Sequence, residues 1–128
     1  MKIRRILAVL VCVMIVASLS VTAFAASTTF FTRTVYGYSC TGRGSFSGTT
    51  ATSTLSATPV SSQANIPSED CTAETWVAAW DSTGAYLGSE HVISTTYAKA
   101  TLVTDRTVAK IGCGFTFTGT HFGYFYAT

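Results

Sequence analysis

The chain has little charge, little proline and few of the residues that favour helices. Charged residues make up 11% of its 128 residues, and the two prolines, Pro59 and Pro67, lie in one short stretch. Beyond residue 25 there is no methionine, and only three leucines and two lysines remain. Because helices are rich in Leu, Met, Glu and Lys, this shortage argues against a helical protein. The scarcity of proline beside many aromatic residues argues against a disordered stalk.

Catalytic and metal-binding motifs are missing as well. The sequence contains no GxSxG, GxGxxG, P-loop or HExxH motif, and no CxxC or HxxxH pair of zinc ligands. Its only histidines are His91 and His121. We therefore predict a protein that is not an enzyme and that uses no cofactor or metal. The alternative is a small secreted hydrolase, which would need one of these imidazoles beside a carboxylate and a serine.

The N-terminus has the layout of a secretory signal peptide. Residues 1–5 carry three positive charges, residues 6–17 form an apolar run of 12, and Ala23 and Ala25 supply small residues for a cleavage site. The run is shorter than the roughly 20 residues of a membrane span. We predict a signal peptide over residues 1–25, one domain over residues 26–128, and a secreted, extracellular protein without a membrane anchor.

The charge of the predicted mature chain differs from that of the whole sequence. The formal net charge of +2 includes the three basic residues of the signal peptide, and residues 26–128 hold five basic and six acidic residues. The mature protein is therefore close to neutral, at about −1. It lacks the basic patch that nucleic-acid binding requires, so we predict no nucleic-acid partner.

The composition of residues 26–128 favours β-structure. These residues include 34 serines and threonines, of which 22 are threonine, and 15 aromatic residues. Threonine and aromatic side chains are enriched in strands. We predict an all-β fold, an antiparallel sandwich of two sheets with about six or seven strands. Alternating or strand-forming patterns cover residues 28–41, 45–57, 72–80, 85–91, 95–103, 108–118 and 121–126.

Two turns and one ambiguous segment complete this prediction. A turn at Gly42, Arg43 and Gly44 would join the first two strands, and the loop at residues 81–84 would make a hairpin of the next pair. Residues 68–80 also fit a capped helix, because acidic residues precede an apolar stretch with helical spacing. The sequence does not distinguish between a strand and a helix for this segment.

Three cysteines remain after removal of Cys12 with the signal peptide. Cys40 and Cys113 share the parity of the larger apolar side chains in their strands, whereas Cys71 follows a polar loop. Because secreted proteins commonly form disulfides, we predict a Cys40–Cys113 disulfide and a free thiol at Cys71. The unpaired thiol would also permit a disulfide-linked dimer.

The aromatic residues are the best candidates for a binding surface. Exposed Trp and Tyr rings offer flat apolar platforms to sugars, and an exposed cluster of them would indicate a binding site. The other interpretation, which the shortage of aliphatic residues favours, is that the same rings fill the core. The candidate binding residues are Trp76, Trp80, Tyr86, Tyr97, Tyr124 and Tyr126.

Two segments carry a resemblance to known proteins. The hairpin TWVAAWDSTGAYLGS, with the small-residue strand TTATSTLSATP before it, resembles a loose group of small secreted Ser/Thr-rich β-sandwich proteins of Gram-positive bacteria. The likeness covers most of residues 26–128 and contains no specific motif. It implies export and an all-β fold, and it assigns no activity and no functional residue, because the group has no established activity.

Two candidate functions fit the sequence. The first is a secreted, non-catalytic β-sandwich that binds a partner at or outside the cell surface, with carbohydrate as the candidate ligand. The second is a secreted antimicrobial or toxin-like polypeptide, which the small size and the glycine-rich aromatic C-terminus suggest. A net charge near −1 argues against the second, because anionic membranes attract cationic chains.

Overall fold

The protein is an antiparallel β-sandwich. A computed structural model describes residues 27–60 and 62–128, which form eight strands in two four-stranded sheets and one short 3-10 turn. The prediction of an all-β, two-sheet antiparallel sandwich is confirmed, with eight strands instead of six or seven. The predicted signal peptide lies outside the described residues. In the described part of the chain, no helix has the length and apolar character to cross a membrane.

The first sheet has the strand order β1-β2-β3-β6. Every neighbouring pair in it is antiparallel, and β1 and β6 form its edges. Its strands are β1 (Ser27–Val35), β2 (Tyr38–Ser47), β3 (Thr50–Pro59) and β6 (Tyr97–Val103).

The second sheet has the strand order β5-β4-β7-β8 and packs face to face on the first. Across the sandwich, β2 lies against β7, β3 against β4, and the edge strands β1 and β6 against β8 and β5. Its strands are β4 (Ala73–Trp80), β5 (Tyr86–Ser94), β7 (Lys110–Phe117) and β8 (Thr120–Ala127).

The predicted turn at Gly42, Arg43 and Gly44 is wrong, because these residues lie in the middle of β2. A Cβ atom added to Gly42 would be 2.8 Å from the Phe115 ring. These glycines therefore make room for core side chains of the opposite sheet. The chain turns instead between β1 and β2, where Tyr36 and Gly37 have φ angles of 49° and 77°, and again after β2 at Gly48.

The segment at residues 68–80 is a strand preceded by a single turn, which settles the helix alternative. Only Ser68–Asp70 is helical, as a 3-10 turn, and β4 follows it. The predicted hairpin between β4 and β5 is confirmed. Its loop is organised by Asp81, whose Oδ1 accepts hydrogen bonds from the backbone N–H groups of Thr83 and Ala85 at 2.9 and 3.0 Å.

The core combines aromatic side chains with many small ones. β3 and β4 contribute mainly alanine, serine and threonine to the interior, whereas β7 contributes Phe115 and Phe117, both fully buried. A fully buried pair of hydroxyls joins the two sheets: those of Ser53 and Thr75 are 2.6 Å apart, and Thr75 also donates to the Gly114 carbonyl. Because both hydroxyls have partners, their burial leaves no unsatisfied polar atom there.

Candidate functional site

The solvent side of the second sheet carries a cluster of aromatic rings, which we call the aromatic face. The two tryptophans are half-buried on β4, and the three tyrosines, on β5 and β8, are 56 to 64% exposed. Strand alternation places all of them outward, because the core-facing positions of β4 are Ala73, Thr75, Val77 and Ala79. The aromatic face consists of Trp76, Trp80, Tyr86, Tyr124 and Tyr126.

Two glycines of β7 determine how these rings lie. Gly114 is paired with Trp76, and a Cβ atom added to it would be only 1.9 Å from the indole Nε1. An added Cβ at Gly112 would be 2.9 Å from the Tyr126 ring and 3.4 Å from that of Trp80. The rings of Trp76, Trp80 and Tyr126 therefore lie over the bare backbone of β7, the tryptophans from β4 and the tyrosine from β8. This arrangement makes the surface flatter than upright side chains on a pleated sheet would.

Four of the five rings form a chain of contacts, and the ammonium group of Lys110 lies over two of them. The Trp80 ring centroid is 5.9 Å from that of Tyr86 and 6.0 Å from that of Tyr126, and Tyr124 meets Tyr126 at 6.2 Å. The ammonium group of Lys110 lies 4.7 Å from the Tyr126 centroid and 5.5 Å from the Trp80 centroid. This cation–π arrangement holds the rings together and leaves a positive charge at one end of the surface.

The structure separates the six predicted binding residues into two groups. Five of them form the aromatic face, and the sixth, Tyr97, lies on the solvent side of the first sheet. The interpretation that these six rings fill the core is wrong, since none of them is buried. The aromatic core consists of other residues, among them Tyr38, Phe46, Phe115, Phe117 and Phe122.

Sequence reasoning missed the part that Lys110, Gly112 and Gly114 take in this surface. A signal for it is present in β7, where Gly112 and Gly114 alternate with the apolar residues Ile111, Cys113 and Phe115. Such alternation gives one face of a strand without side chains. It indicates that neighbouring rings cover the backbone there.

The two histidines lie on the same side of the second sheet, on its edge strands. His91 Nε2 is 2.6 Å from Glu74 Oε1, and His121 Nδ1 is 3.4 Å from Thr116 Oγ1. Among the described residues, the side-chain hydrogen-bond partner of His91 is a carboxylate and that of His121 a hydroxyl. A hydrolytic triad needs both kinds of partner around one imidazole. Neither histidine has this arrangement here.

The predicted Cys40–Cys113 disulfide is wrong: Cys40, Cys71 and Cys113 are free thiols. Cys40 and Cys113 do share the core layer, but they lie at different levels along the strands. Cys113 packs against Gly44, four residues beyond Cys40 on β2, which corresponds to about 13 Å along the strand. That separation is too long for a disulfide, whose α-carbons lie about 6 Å apart.

All three thiols are buried, which determines their chemistry. Desolvation raises the pKa of Cys113 to about 11, and desolvation together with the nearby Cys71 raises that of Cys40 to about 11. The thiols of Cys40 and Cys113 therefore stay protonated at neutral pH and are poor nucleophiles. Cys71, with 2% of its surface exposed, is also inaccessible to a second copy of the chain, so a disulfide-linked dimer would require local opening.

In the part of the chain that the structure describes, no group of three or more His, Cys, Asp or Glu residues is arranged to hold a metal ion. The aromatic face offers a ligand its rings and the ammonium group of Lys110. No protein-family model matches the chain, and no curated protein is significantly similar to it.

Proposed function

We propose that this protein is an exported, non-catalytic binding protein that holds a carbohydrate on its aromatic face. The observation that carries this function is the outward cluster of five rings, three of which lie over a strip of glycine backbone. Sugar rings have apolar C–H faces that stack on aromatic rings, and the hydroxyls around them need polar neighbours. Lys110, Glu74 and His91 supply such groups beside the rings.

Export is supported by the N-terminal pattern of three positive charges, an apolar run and small residues. A secreted protein meets the polysaccharides of cell surfaces directly. A ring cluster of this size on the outside of a small domain also needs an explanation, since monomeric proteins seldom expose large contiguous apolar patches. Reversible binding of a carbohydrate explains why the rings are exposed, because such a ligand does not cover the face permanently.

The test is a glycan array with the purified protein, followed by calorimetric titration of the best ligand. We expect Trp76→Ala and Trp80→Ala each to weaken binding about tenfold or more, because truncation of a central aromatic residue removes most of its contact. Trp80→Phe should restore part of the affinity. For an uncharged glycan, Tyr97→Ala is the matched control, because it removes an exposed ring from the other sheet, and it should leave binding unchanged.

Two results would contradict the proposal. One is an array on which the protein binds no glycan. The other is an uncharged glycan that binds with the same affinity to the wild type, Trp76→Ala and Trp80→Ala. Thermal unfolding of each variant distinguishes a lost contact from a lost fold, since half-buried outward side chains can be truncated without opening the core.

A further inference from the structure

The solvent side of the first sheet has a different chemistry and forms an open groove of about 480 Å³. Its floor is β3, whose outward residues are all threonine or serine. Longer side chains from β2 and β6 rise on either side of this floor, because their outward positions include Arg43, Tyr97 and Lys99. We call this surface the hydroxyl groove. Its lining residues are Thr41, Arg43, Ser45, Thr52, Thr54, Ser56, Tyr97 and Lys99.

The two cations of the groove stand opposite each other across β3. Arg43 is paired with Thr54 on one side, and Lys99 is paired with Thr54 on the other. Because neighbouring strands are about 4.8 Å apart, the α-carbons of Arg43 and Lys99 are separated by about 10 Å. An anionic group placed over Thr54 would therefore be within reach of both side chains.

Charge is distributed unevenly around the groove. Its lining contains two cations and no carboxylate. The other cations have partners elsewhere: Arg106 pairs with Asp81 at 2.8 Å, Arg33 donates to the Phe122 carbonyl, and Lys110 lies over the rings of the aromatic face. In the described part of the chain, neither Arg43 nor Lys99 has a carboxylate within ion-pair distance. The groove is thus locally positive on a protein that is close to neutral overall.

The neighbours of the cations favour a sugar polymer over other anions. Phe30 lies beside Arg43, with its ring centroid 5.9 Å from the guanidinium carbon, and this contact holds the arginine at the groove edge without neutralising it. Tyr97 is 54% exposed on the opposite side. Along the floor, the hydroxyls of Thr52, Thr54 and Ser56 recur about every 7 Å, and each can donate and accept a hydrogen bond.

We propose that the hydroxyl groove is a second binding site, which takes a linear acidic polysaccharide along β3. The carboxylates of the polymer would pair with Arg43 and Lys99, its hydroxyls with the floor, and one sugar face with Tyr97. This site is independent of the carbohydrate proposed for the aromatic face, because the two surfaces lie on opposite sides of the sandwich.

Titration calorimetry with polygalacturonate at low ionic strength tests this site. We expect binding that weakens as NaCl is added, since exposed charge pairs are screened. Arg43→Gln and Lys99→Gln should each raise Kd about fivefold. Arg106→Gln removes the same charge away from the groove and is the matched control, which should change Kd by less than about twofold. Trp76→Ala should leave this binding unchanged, so the two proposals can fail separately.

Two further ligands and one variant examine the class of polymer. Poly-L-glutamate carries the same carboxylates without sugar hydroxyls, and dextran carries the hydroxyls without charge, so both should bind more weakly than polygalacturonate. Thr54→Val should weaken polygalacturonate binding about threefold, because one hydrogen bond to the floor is lost. Absence of polygalacturonate binding would overturn the site, as would equal losses in Arg43→Gln and Arg106→Gln. Equal binding of poly-L-glutamate, with no effect of Thr54→Val, would overturn its assignment to a polysaccharide.

Discussion

The two solvent faces of this sandwich are built on the same kind of sheet and differ in almost every other respect. On the first sheet, threonines and serines stand upright on the pleat, with Arg43 and Lys99 among them. On the second, rings lie flat over Gly112 and Gly114. Both sheets have four antiparallel strands, so backbone architecture does not distinguish the faces. The difference shows that the side chains omitted from a strand shape a surface as much as those present.

The largest effect should come from adding a side chain beneath the rings. In Gly114→Ala, the new Cβ would occupy the place of the Trp76 indole, so the ring must move into solvent. We expect a loss of about 1 to 3 kcal/mol in the free energy of unfolding, as for other overpacked sites, together with loss of glycan binding. Urea unfolding followed by tryptophan fluorescence measures the first effect.

The double variant Trp76→Ala/Gly114→Ala identifies the cause. If the clash with the indole is responsible, Gly114→Ala should cost much less stability in the Trp76→Ala background than in the wild type. An equal cost in both backgrounds would show that the glycine matters to the sheet itself. In that case the flat arrangement of the rings would not depend on it.

A smaller effect is expected at the end of the aromatic face, in the loop that precedes Tyr86. Hydrogen bonds from Thr83 and Ala85, and the nearby Arg106, lower the pKa of Asp81 below its usual value of 3.8. The stabilisation is therefore fully present above about pH 4 and disappears as the pH falls through the lower, folded-state pKa. Asp81→Asn should reduce the loss of stability measured between pH 5 and about pH 2.

Asp105→Asn is the control for this pH dependence. The side chain of Asp105 is 87% exposed, and its carboxylate is 4.0 Å from Arg106. Because this side chain is exposed, Asp105→Asn should change the acid sensitivity of unfolding less than Asp81→Asn does. The outward positions that line the hydroxyl groove include no carboxylate, so acid is expected to weaken the second sheet's hairpin and to have no direct effect on that groove. If Asp81→Asn loses as much stability in acid as the wild type does, the Asp81 carboxylate is not the source of the acid sensitivity.

The smallest effect is expected on the hydroxyl groove. Thr54→Val exchanges one β-branched side chain for another of the same shape at a partly exposed position. We expect the free energy of unfolding to change by less than about 0.5 kcal/mol. A larger change, measured by urea unfolding, would show that the threonine hydroxyl contributes to the sheet and is not reserved for a ligand.

Several elements of the fold could be predicted because their signals are local. Asp81 and Gly84 at the two ends of a four-residue loop indicate a hairpin directly, and β4 and β5 pair around it. In β3, the alternation of outward threonines and serines with inward residues such as Ala51 and Leu55 likewise indicates a strand with one solvent face. Gly42 and Gly44 misled the same reasoning, because a glycine that accommodates a distant ring looks locally like a turn.

The location of the tryptophans could not be obtained from alternation alone. Trp76 and Trp80 are on one face of β4, but both faces of that strand carry apolar residues. The smaller side chains face inward because Phe115 and Phe117 of β7, with Tyr38 and Leu55 of the first sheet, already occupy the interior. The volume available to a side chain depends on the opposite sheet, and strand periodicity contains no information about it.

The sequence by itself determined the β-rich character, the parity of side chains along each strand and the candidate aromatic residues, because composition and alternation act over a few neighbouring positions. Tertiary structure alone decided which parity faces the core, the level at which Cys40 and Cys113 lie, and the grouping of five rings apart from Tyr97. These properties depend on how two sheets are stacked and staggered. That stacking is a balance of packing among residues far apart in the chain.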